Sequence, residues 1–524
     1  MAWAWLFGAL LALPTLLPRS PPMTDLPMHA GVVGLLLHWG DDSFVPKGLY
    51  WLNLGHPNQL FHGVAYLFCR AFGTRLGFGL AAALPQIGII GGGALFGRHA
   101  GAPWWSSLWL APLALGWTYF WGLAPNLYGL ALFLPAVVAV DRFVREPTRR
   151  GALLLTLGYG LLFLAHETAM FAALAVHVLF ALVRPNRTRS AVVVSPVIGA
   201  LALAGADVIA LTRIHTAAER GFAGDVRFTG PVARVLELPE TIFGSHPTPV
   251  LLALVTLYGA AVLATWRLAT RKDDEARPSA TRLLRERIDD HRFLAAGLGL
   301  LLGYFVVPEQ LFGVTMLHSR FAGYAWALVL PGCVAGLGFT PRGARPLRLA
   351  VLASAAALVA LPVVAAPAFA QSHRFNAALD RLMSQMAEGQ AVIVQPLHPR
   401  QPEDLFNAIS CGRVLAERGG RCLFDFTRTS IAPLRMEESL IWSRVADRGG
   451  LRQELRPKED LRAYRYLVLC CASDPEAEEY RAMLAPYARL VTADDGWLLF
   501  ESKLQRIAPN APESMLFRPD VEHP

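Results

Sequence analysis

Leu347–Phe369 reads LRLAVLASAAALVALPVVAAPAF, a 23-residue run whose one charged side chain is Arg348. At 1.5 Å per residue, a helix of that length reaches about 35 Å, enough to cross the roughly 30 Å hydrocarbon core of a bilayer. Leu251–Leu268 and Phe321–Phe339 have the same character, and such runs recur from the N-terminus to about residue 370. The composition agrees: 54% of the 524 residues are hydrophobic, 17% are charged, and the mean hydropathy is +0.38. These values fit a polytopic membrane protein rather than a soluble one.

The net charge of +8 does not point to nucleic acid. Much of the Lys and Arg falls in short links between apolar runs: Arg142, Arg145, Arg149 and Arg150; Arg184, Arg187 and Arg189; Arg271 to Arg292; and Arg342, Arg345 and Arg348. That is the positive-inside pattern, which assigns the four links to the cytoplasm. Met1–Pro18 lacks a charged n-region and a small-x-small cleavage site, so it reads as an uncleaved first span.

Walking outward from the link at 269–292 orders the later segments. Residues 293–307 cross out, 321–340 return and 347–369 cross out again, which leaves the tail from 370 extracytoplasmic. In the other direction 248–268 and 190–212 are spans, and Gly151–Val183 breaks at His166-Glu167 into two short helices. The early part resists the same walk. Placing Arg98 with Arg142 and the loop at 19–55 outside requires an odd number of crossings between residues 55 and 97, yet two candidates occur there, 56–72 and 76–96. Gly91-Gly92-Gly93 marks a broken place in the second.

After residue 370 charge becomes dense. Ala391–Leu397 and Tyr466–Cys471 read as buried strands. A helix is expected after Pro402, with Glu403 and Asp404 in its first turn and Gly419-Gly420 at its end, followed by a strand at Cys422–Phe426. A helix at 475–486 and a hairpin of Arg489–Thr492 with Gly496–Ser502 complete an alternating pattern. The expected fold is therefore an α-helical polytopic membrane protein of about 11–12 spans (1–370), with a first extracytoplasmic loop at about 19–55 and a small extracytoplasmic α/β domain at 371–524. Cys411, Cys422, Cys470 and Cys471 lie in this tail, where a bridge from Cys411 or Cys422 to a strand cysteine and free buried thiols are both open. No Cys-x-x-Cys spacing supports zinc.

The ionisable groups of the first loop carry the chemical interest: Asp25, His29, Asp41, Asp42 and Lys47. Pro27 suits a first helical turn, and Met28, Val32, Leu35 and Leu36 recur at near-helical spacing, predicting an interfacial helix from Leu26 to His38. Asp25 and His29 then stand one turn apart. Such a pair can hold a divalent cation, orient a general base or cap the helix. Further polar groups gather at expected outer ends of spans, where ionisable side chains are costly to keep. They are His56, Asn58 and His62; Asn126; His166 and Glu167; and Glu309, Gln310, His318 and Arg320.

An N-terminal span, a loop with an early Asp and an amphipathic helix, many further spans and a C-terminal α/β domain together resemble the GT-C superfamily of membrane glycosyltransferases. Thr24-Asp25-Leu26-Pro27-Met28-His29 is similar to the start of that family's first loop. The resemblance implies transfer of a sugar from a polyprenyl-phosphate donor to an acceptor at the outer face of a bacterial inner membrane. Asp25 would be catalytic base or metal ligand, with His29 assisting. Arg320, with His318, would hold the departing lipid phosphate, while His166, Glu167, Asn126 and His56 would line the substrate cavity. A divalent cation, held by Asp25 or Glu167, is an open cofactor, and membrane lipids and the lipid-linked sugar are the expected partners. The sequence departs from the family where Leu26 follows Asp25 in place of a second acid. A transporter or lipid flippase, and a non-catalytic envelope scaffold, are the competing readings. No Walker, Rossmann or Gly-x-Ser-x-Gly motif supports nucleotide or hydrolase chemistry.

Overall fold

The structure is a computed structural model, and it describes all residues except 19, 185–189, 215–225, 245, 269–290, 311–315, 337–343, 397–410, 423–430, 437–456, 471–473, 495 and 505–524. The helix start expected at Pro402, Glu403 and Asp404, most of the cationic links at 184–189 and 271–292, Arg342, the strand beyond Cys422 and Cys471 lie outside the described residues.

The helices run in chain order as α1 (Ala2–Ala12), α2 (Leu26–Leu37), α3 (Leu60–Phe72), α4 (Thr74–Ala100), α5 (Ala111–Leu115), α6 (Trp117–Phe120), α7 (Ala124–Arg145), α8 (Arg149–Ala165), α9 (Glu167–Val183), α10 (Ser190–Ile214), α11 (Pro231–Phe243), α12 (Thr248–Leu268), α13 (Arg292–Val306), α14 (Leu317–Gly336), α15 (Ala344–Met383), α16 (Cys411–Arg418), α17 (Pro457–Ala463) and α18 (Asp474–Leu484). The strands are β1 (Tyr50–Leu52), β2 (Ala391–Pro396), β3 (Arg421–Cys422), β4 (Leu434–Met436), β5 (Tyr466–Cys470), β6 (Ala488–Asp494) and β7 (Trp497–Ser502). The chain is thus a mostly helical membrane protein with a small C-terminal sheet. Among the described residues four helices are singly long and apolar enough to cross a membrane, and α11 with α12, bent by 79°, makes a fifth where the pair is counted as one span. The other apolar helices are shorter.

Two compact units divide the chain. One holds residues 1–15, 82–213 and 222–366; the other holds 16–81, 214–221 and 367–524.

In the first unit α1 lies antiparallel to α4 and packs into its glycines. A Cβ on Gly91 would sit 2.3 Å from the Trp5 ring, and one on Gly8 would meet Ile87. The triple glycine is therefore not a break, as the sequence suggested, because α4 is continuous and uses these glycines for close helix contact. The segment 104–120, a 3-10 turn and two short helices, returns beside α4, where Gln86 Nε2 donates to the Ala114 carbonyl and Thr15 Oγ1 donates to Gln86 Oε1. α7 then runs back. Near its end, buried Asp141 accepts from Arg292 Nε at 2.6 Å and His99 Nε2 at 2.8 Å, with Arg145 Nε 3.0 Å away. This cluster ties α4, α7 and α13 at one end of the unit, so the ends bearing Arg98, Arg142 and Arg292 coincide.

Of the two candidates between 55 and 97, only α4 is long and apolar enough to cross a membrane. α3 has 13 residues, buries only Phe61, His62, Ala65 and Cys69, and is too short for the hydrocarbon core.

In the second unit the sheet order is β3-β2-β5-β7-β6, with β2 parallel to β3 and β5, and β7 antiparallel to β5 and β6. The strands at 391, 466 and 488–502 and the helix ending at Gly419-Gly420 follow the sequence pattern; both glycines have positive φ, which closes the helix. The helical run expected to end at 369 instead continues as α15 to Met383, and its last turns bury Ala378, Leu379 and Leu382 against the sheet. The cysteine bridge also differs from the expected partners. Cys411 bonds Cys422, at a Cα separation of 6.0 Å, which staples α16 to β3.

α2 forms where its period predicts, but it is not an interfacial helix. Leu26, Met28, Val32, Val33 and Leu35 are all buried, and Gly31 and Gly34 bring its backbone against Gly412 and Ala416 of α16. Two glycines three residues apart on an apolar helix allow a crossing closer than any side chain would. The edge of this layer is closed by β1 pairing antiparallel with β4, and by the Tyr50 hydroxyl donating to the Gly420 carbonyl.

Candidate functional site

The first unit holds a buried polar cluster at the end opposite Asp141. Asn126 and Asp141 are fifteen residues apart on α7, or about 22 Å. The cluster forms because the turn between α8 and α9 places His166 in extended conformation as the N-cap of α9, where its Nδ1 accepts the Thr168 N–H at 3.1 Å. Arg320, in the first turn of α14, reaches His166 with Nη1 at 2.7 Å from Nε2, and lies 3.7 Å from a Glu167 carboxylate oxygen. One turn further along α14, the Tyr324 hydroxyl donates to Asn126 Oδ1 at 2.7 Å. Gly129 leaves room for this meeting, since a Cβ there would sit 2.9 Å from the Tyr324 oxygen and 3.1 Å from His166 Cβ. Of the residues singled out from sequence, Asn126, His166, Glu167 and Arg320 therefore come together.

The cluster is buried and rich in hydrogen-bond donors. His166 is 3% and Asn126 1% exposed, and the Arg320 side chain is 12% exposed. A neutral imidazole has one proton for two nitrogens, yet both nitrogens of His166 face donors, the Thr168 amide and the guanidinium. Nδ1 also lies 3.8 Å from a Glu167 carboxylate oxygen, so the cluster already holds one acceptor. Asn126 Nδ2 and Arg320 Nε are buried without hydrogen-bond partners, and both are donors. The N-termini of α7, α9 and α14 converge on the same place and add their positive dipole ends. Glu167 is the one acid, and it sits against Arg320. Among the described residues, no three His, Cys, Asp or Glu side chains gather at metal-binding spacing.

His318 does not join Arg320. Its ring stands 5.4 Å from that of Tyr304 and its Nε2 lies 3.9 Å from Glu237, in a neighbouring group with Arg234. Arg234 is fully buried, donating from Nε to the Thr229 carbonyl and from Nη1 to the Tyr304 carbonyl. Arg234 and Tyr324 were missed in the sequence. Tyr324 had a signal, its spacing of four from Arg320; Arg234 had none, because its partners are backbone carbonyls, one of them 70 residues away.

In the second unit Asp25 occupies the N-cap position of α2 but makes no side-chain cap hydrogen bond, so helix capping does not account for it. One turn on, His29 meets His62 of α3, with Nδ1 3.0 Å from Nε2. The proton positions follow from the end of the chain of bonds. His62 Nδ1 donates to the Asn58 carbonyl at 3.2 Å, so its Nε2 is an acceptor and His29 must donate from Nδ1. This leaves Nε2 of His29 as its basic nitrogen. Burial, and secondarily His62, hold the His29 pKa well below the ordinary value, so the ring is neutral at physiological pH. Asn58 adopts φ of 67°, a left-handed conformation that aims its carbonyl at His62. His56 is tied to Asn53 Oδ1 at 3.0 Å, and Asn53 and Gln59 bond backbone carbonyls at 431–432. Its bonds fix the loop. Asp41 caps its own turn through Ser43, which lowers its pKa.

No family model matches the sequence, and no curated protein matches it. Among solved structures the chain is similar to ArnT from Cupriavidus metallidurans bound to undecaprenyl phosphate, and to the same protein in the apo state. For both the identity is 14% and the TM-score 0.39, over 95% of this chain and 98% or 97% of the other. A likeness of that size assigns neither a family nor an activity.

Proposed function

We propose that this protein is a membrane glycosyltransferase of GT-C type, which moves a sugar from a polyprenyl-phosphate donor to an acceptor hydroxyl at the outer face of a bacterial inner membrane. The observation that carries this reading is the buried, donor-rich cluster of Asn126, His166 and Arg320 at one end of the membrane unit. A guanidinium matches phosphate oxygens bidentately, and fixed donors stabilise the charge that appears on a phosphate as it leaves. In this reading Arg320, His166 and Asn126 bind the lipid phosphate, and Glu167 holds Arg320 in place.

The acceptor oxygen attacks the anomeric carbon. As that bond forms, the bond from the anomeric carbon to the phosphate oxygen breaks, and its electron pair leaves with the lipid phosphate. The hydroxyl proton goes to a general base, the role that the family resemblance implies for Asp25. No step is assigned to a metal. The Cys411–Cys422 disulfide supports an extracytoplasmic C-terminal domain, because such bonds persist in oxidising compartments.

The test is transfer of labelled sugar from a polyprenyl-phosphate donor by the purified full-length protein in liposomes. Wild type transfers, while Asp25→Asn and Arg320→Gln each lose at least 100-fold with normal expression and melting. Full transfer by either variant removes that residue's role, and full transfer by both removes the mechanism.

A further inference from the structure

A second feature lies away from these groups, at the elbow between α3 and α4. An open cavity of about 540 Å³ is lined there by Leu16, Pro18, Phe72, Thr74, Arg75 and Leu76, with three further small residues. Its rim continues into the outer face of α3. Leu67 is 65%, Phe72 54% and Leu76 47% exposed, and Leu17 on the facing segment is 67% exposed. Exposed Arg70 and Arg75 stand among them. The opposite face of α3, through Phe61, His62, Ala65 and Cys69, is the buried one. A short helix with one face packed on protein and the other both greasy and basic has the make-up of a helix that lies in a bilayer interface.

The charge pattern says which lipid such a face fits. No Asp or Glu occurs anywhere between Asp42 and Asp141, while Lys47, Arg70, Arg75 and Arg98 do. The cavity and its rim therefore present cations with no carboxylate in the same stretch of chain to neutralise them. We infer that this elbow is a binding site for an anionic glycerophospholipid. Arg70 and Arg75 would take the phosphodiester and the acyl chains would lie over Phe72, Leu76 and Leu16. A zwitterionic lipid offers the same chains, but its ammonium would face the arginines without a partner. The inference is independent of the sugar-transfer reading, since none of its residues belongs to the donor-rich cluster or to α2.

The experiment uses the full-length protein in nanodiscs of phosphatidylcholine doped with phosphatidylglycerol, followed by gentle delipidation and native mass spectrometry of the retained lipid. Wild type retains phosphatidylglycerol in preference to phosphatidylcholine. Each arginine near an anionic headgroup is worth roughly a fivefold change in affinity, so the Arg70→Gln/Arg75→Gln variant should weaken retention on the order of 30-fold. Both side chains are exposed, so this variant should melt as wild type does, and a melting curve checks that. Arg98→Gln, outside the cavity, should retain the lipid. Equal retention of the two lipids, retention unchanged in the double variant, or stoichiometric displacement of phosphatidylglycerol by added polyprenyl phosphate would each overturn the inference.

Discussion

Replacing Gly34 with Ala tests how α2 is held. Alanine is intrinsically favoured over glycine within a helix by about 1 kcal/mol, so on propensity alone the change should stabilise. The packing opposes it. The new Cβ would sit 2.4 Å from Ala416 Cα and 2.7 Å from its carbonyl oxygen, and these are backbone atoms that no rotamer change can move away. An ordinary contact needs about 1 Å more, so α2 and α16 must separate. A gap of that size forfeits a quarter to a half of each dispersion contact across the seam. Overpacking of this kind costs about 1–3 kcal/mol before the propensity gain is subtracted, and here it falls on a seam that is close at Gly31 too, whose Cβ would sit 2.8 Å from the Gly412 carbonyl oxygen. The net expectation is a loss of about 1–2 kcal/mol and a melting temperature lower by a few degrees. Gly63→Ala in α3 is the matched control. Nothing lies within 4 Å of its would-be Cβ, so only the propensity remains and the change should stabilise by about 0.5–1 kcal/mol. Melting followed by intrinsic fluorescence reads both. If Gly34→Ala raises the melting temperature as Gly63→Ala does, the close crossing of α2 and α16 is refuted.

Other expectations concern the ion clusters and the disulfide. Asp141→Ala leaves Arg292 and His99 without their shared acid, and removing one member of a buried ionic group should cost about 3–5 kcal/mol, read as loss of folded yield and melting temperature. Cys411→Ser opens a short loop worth about 3 kcal/mol in chain entropy, so reductant should lower wild-type melting to that of the variant and leave the variant unchanged. The Glu501 pKa is lowered from 4.5 by hydrogen bonds from Arg489 and then Arg465. A depressed carboxyl stabilises fully above its unfolded value and loses that contribution as pH falls through the folded value, so wild type should lose stability below about pH 4.5 more steeply than Glu501→Gln, in acid melting series.

What the sequence disclosed followed physical periodicity. The break at His166-Glu167 was visible because two ionisable residues interrupt an apolar run, and the β6–β7 hairpin because Asp494-Asp495 separates two alternating strands. Features that depend on distant partners were not visible. α2 has the composition of an interfacial helix, and only Gly412 and Ala416, nearly 400 residues on, show that its glycines serve protein contact. α3 read as a span because its apolar residues outnumber its one arginine, although its length is short of a bilayer. The cysteine pairing depended on α16 and β3 lying side by side. For the site, residue types led to Arg320, His166 and Asn126. The role of His62 did not follow from them, because it rests on which ring nitrogen the Asn58 carbonyl fixes.

The most direct measurement is the affinity of the purified protein for polyprenyl phosphate itself, without sugar, in wild type, Arg320→Gln and Asn126→Ala. The account predicts binding by wild type, at least tenfold weaker binding by Arg320→Gln, and a smaller loss in Asn126→Ala, with Asp25→Asn binding as wild type does. Binding that is undiminished in Arg320→Gln would contradict the assignment of the buried cluster to the lipid phosphate.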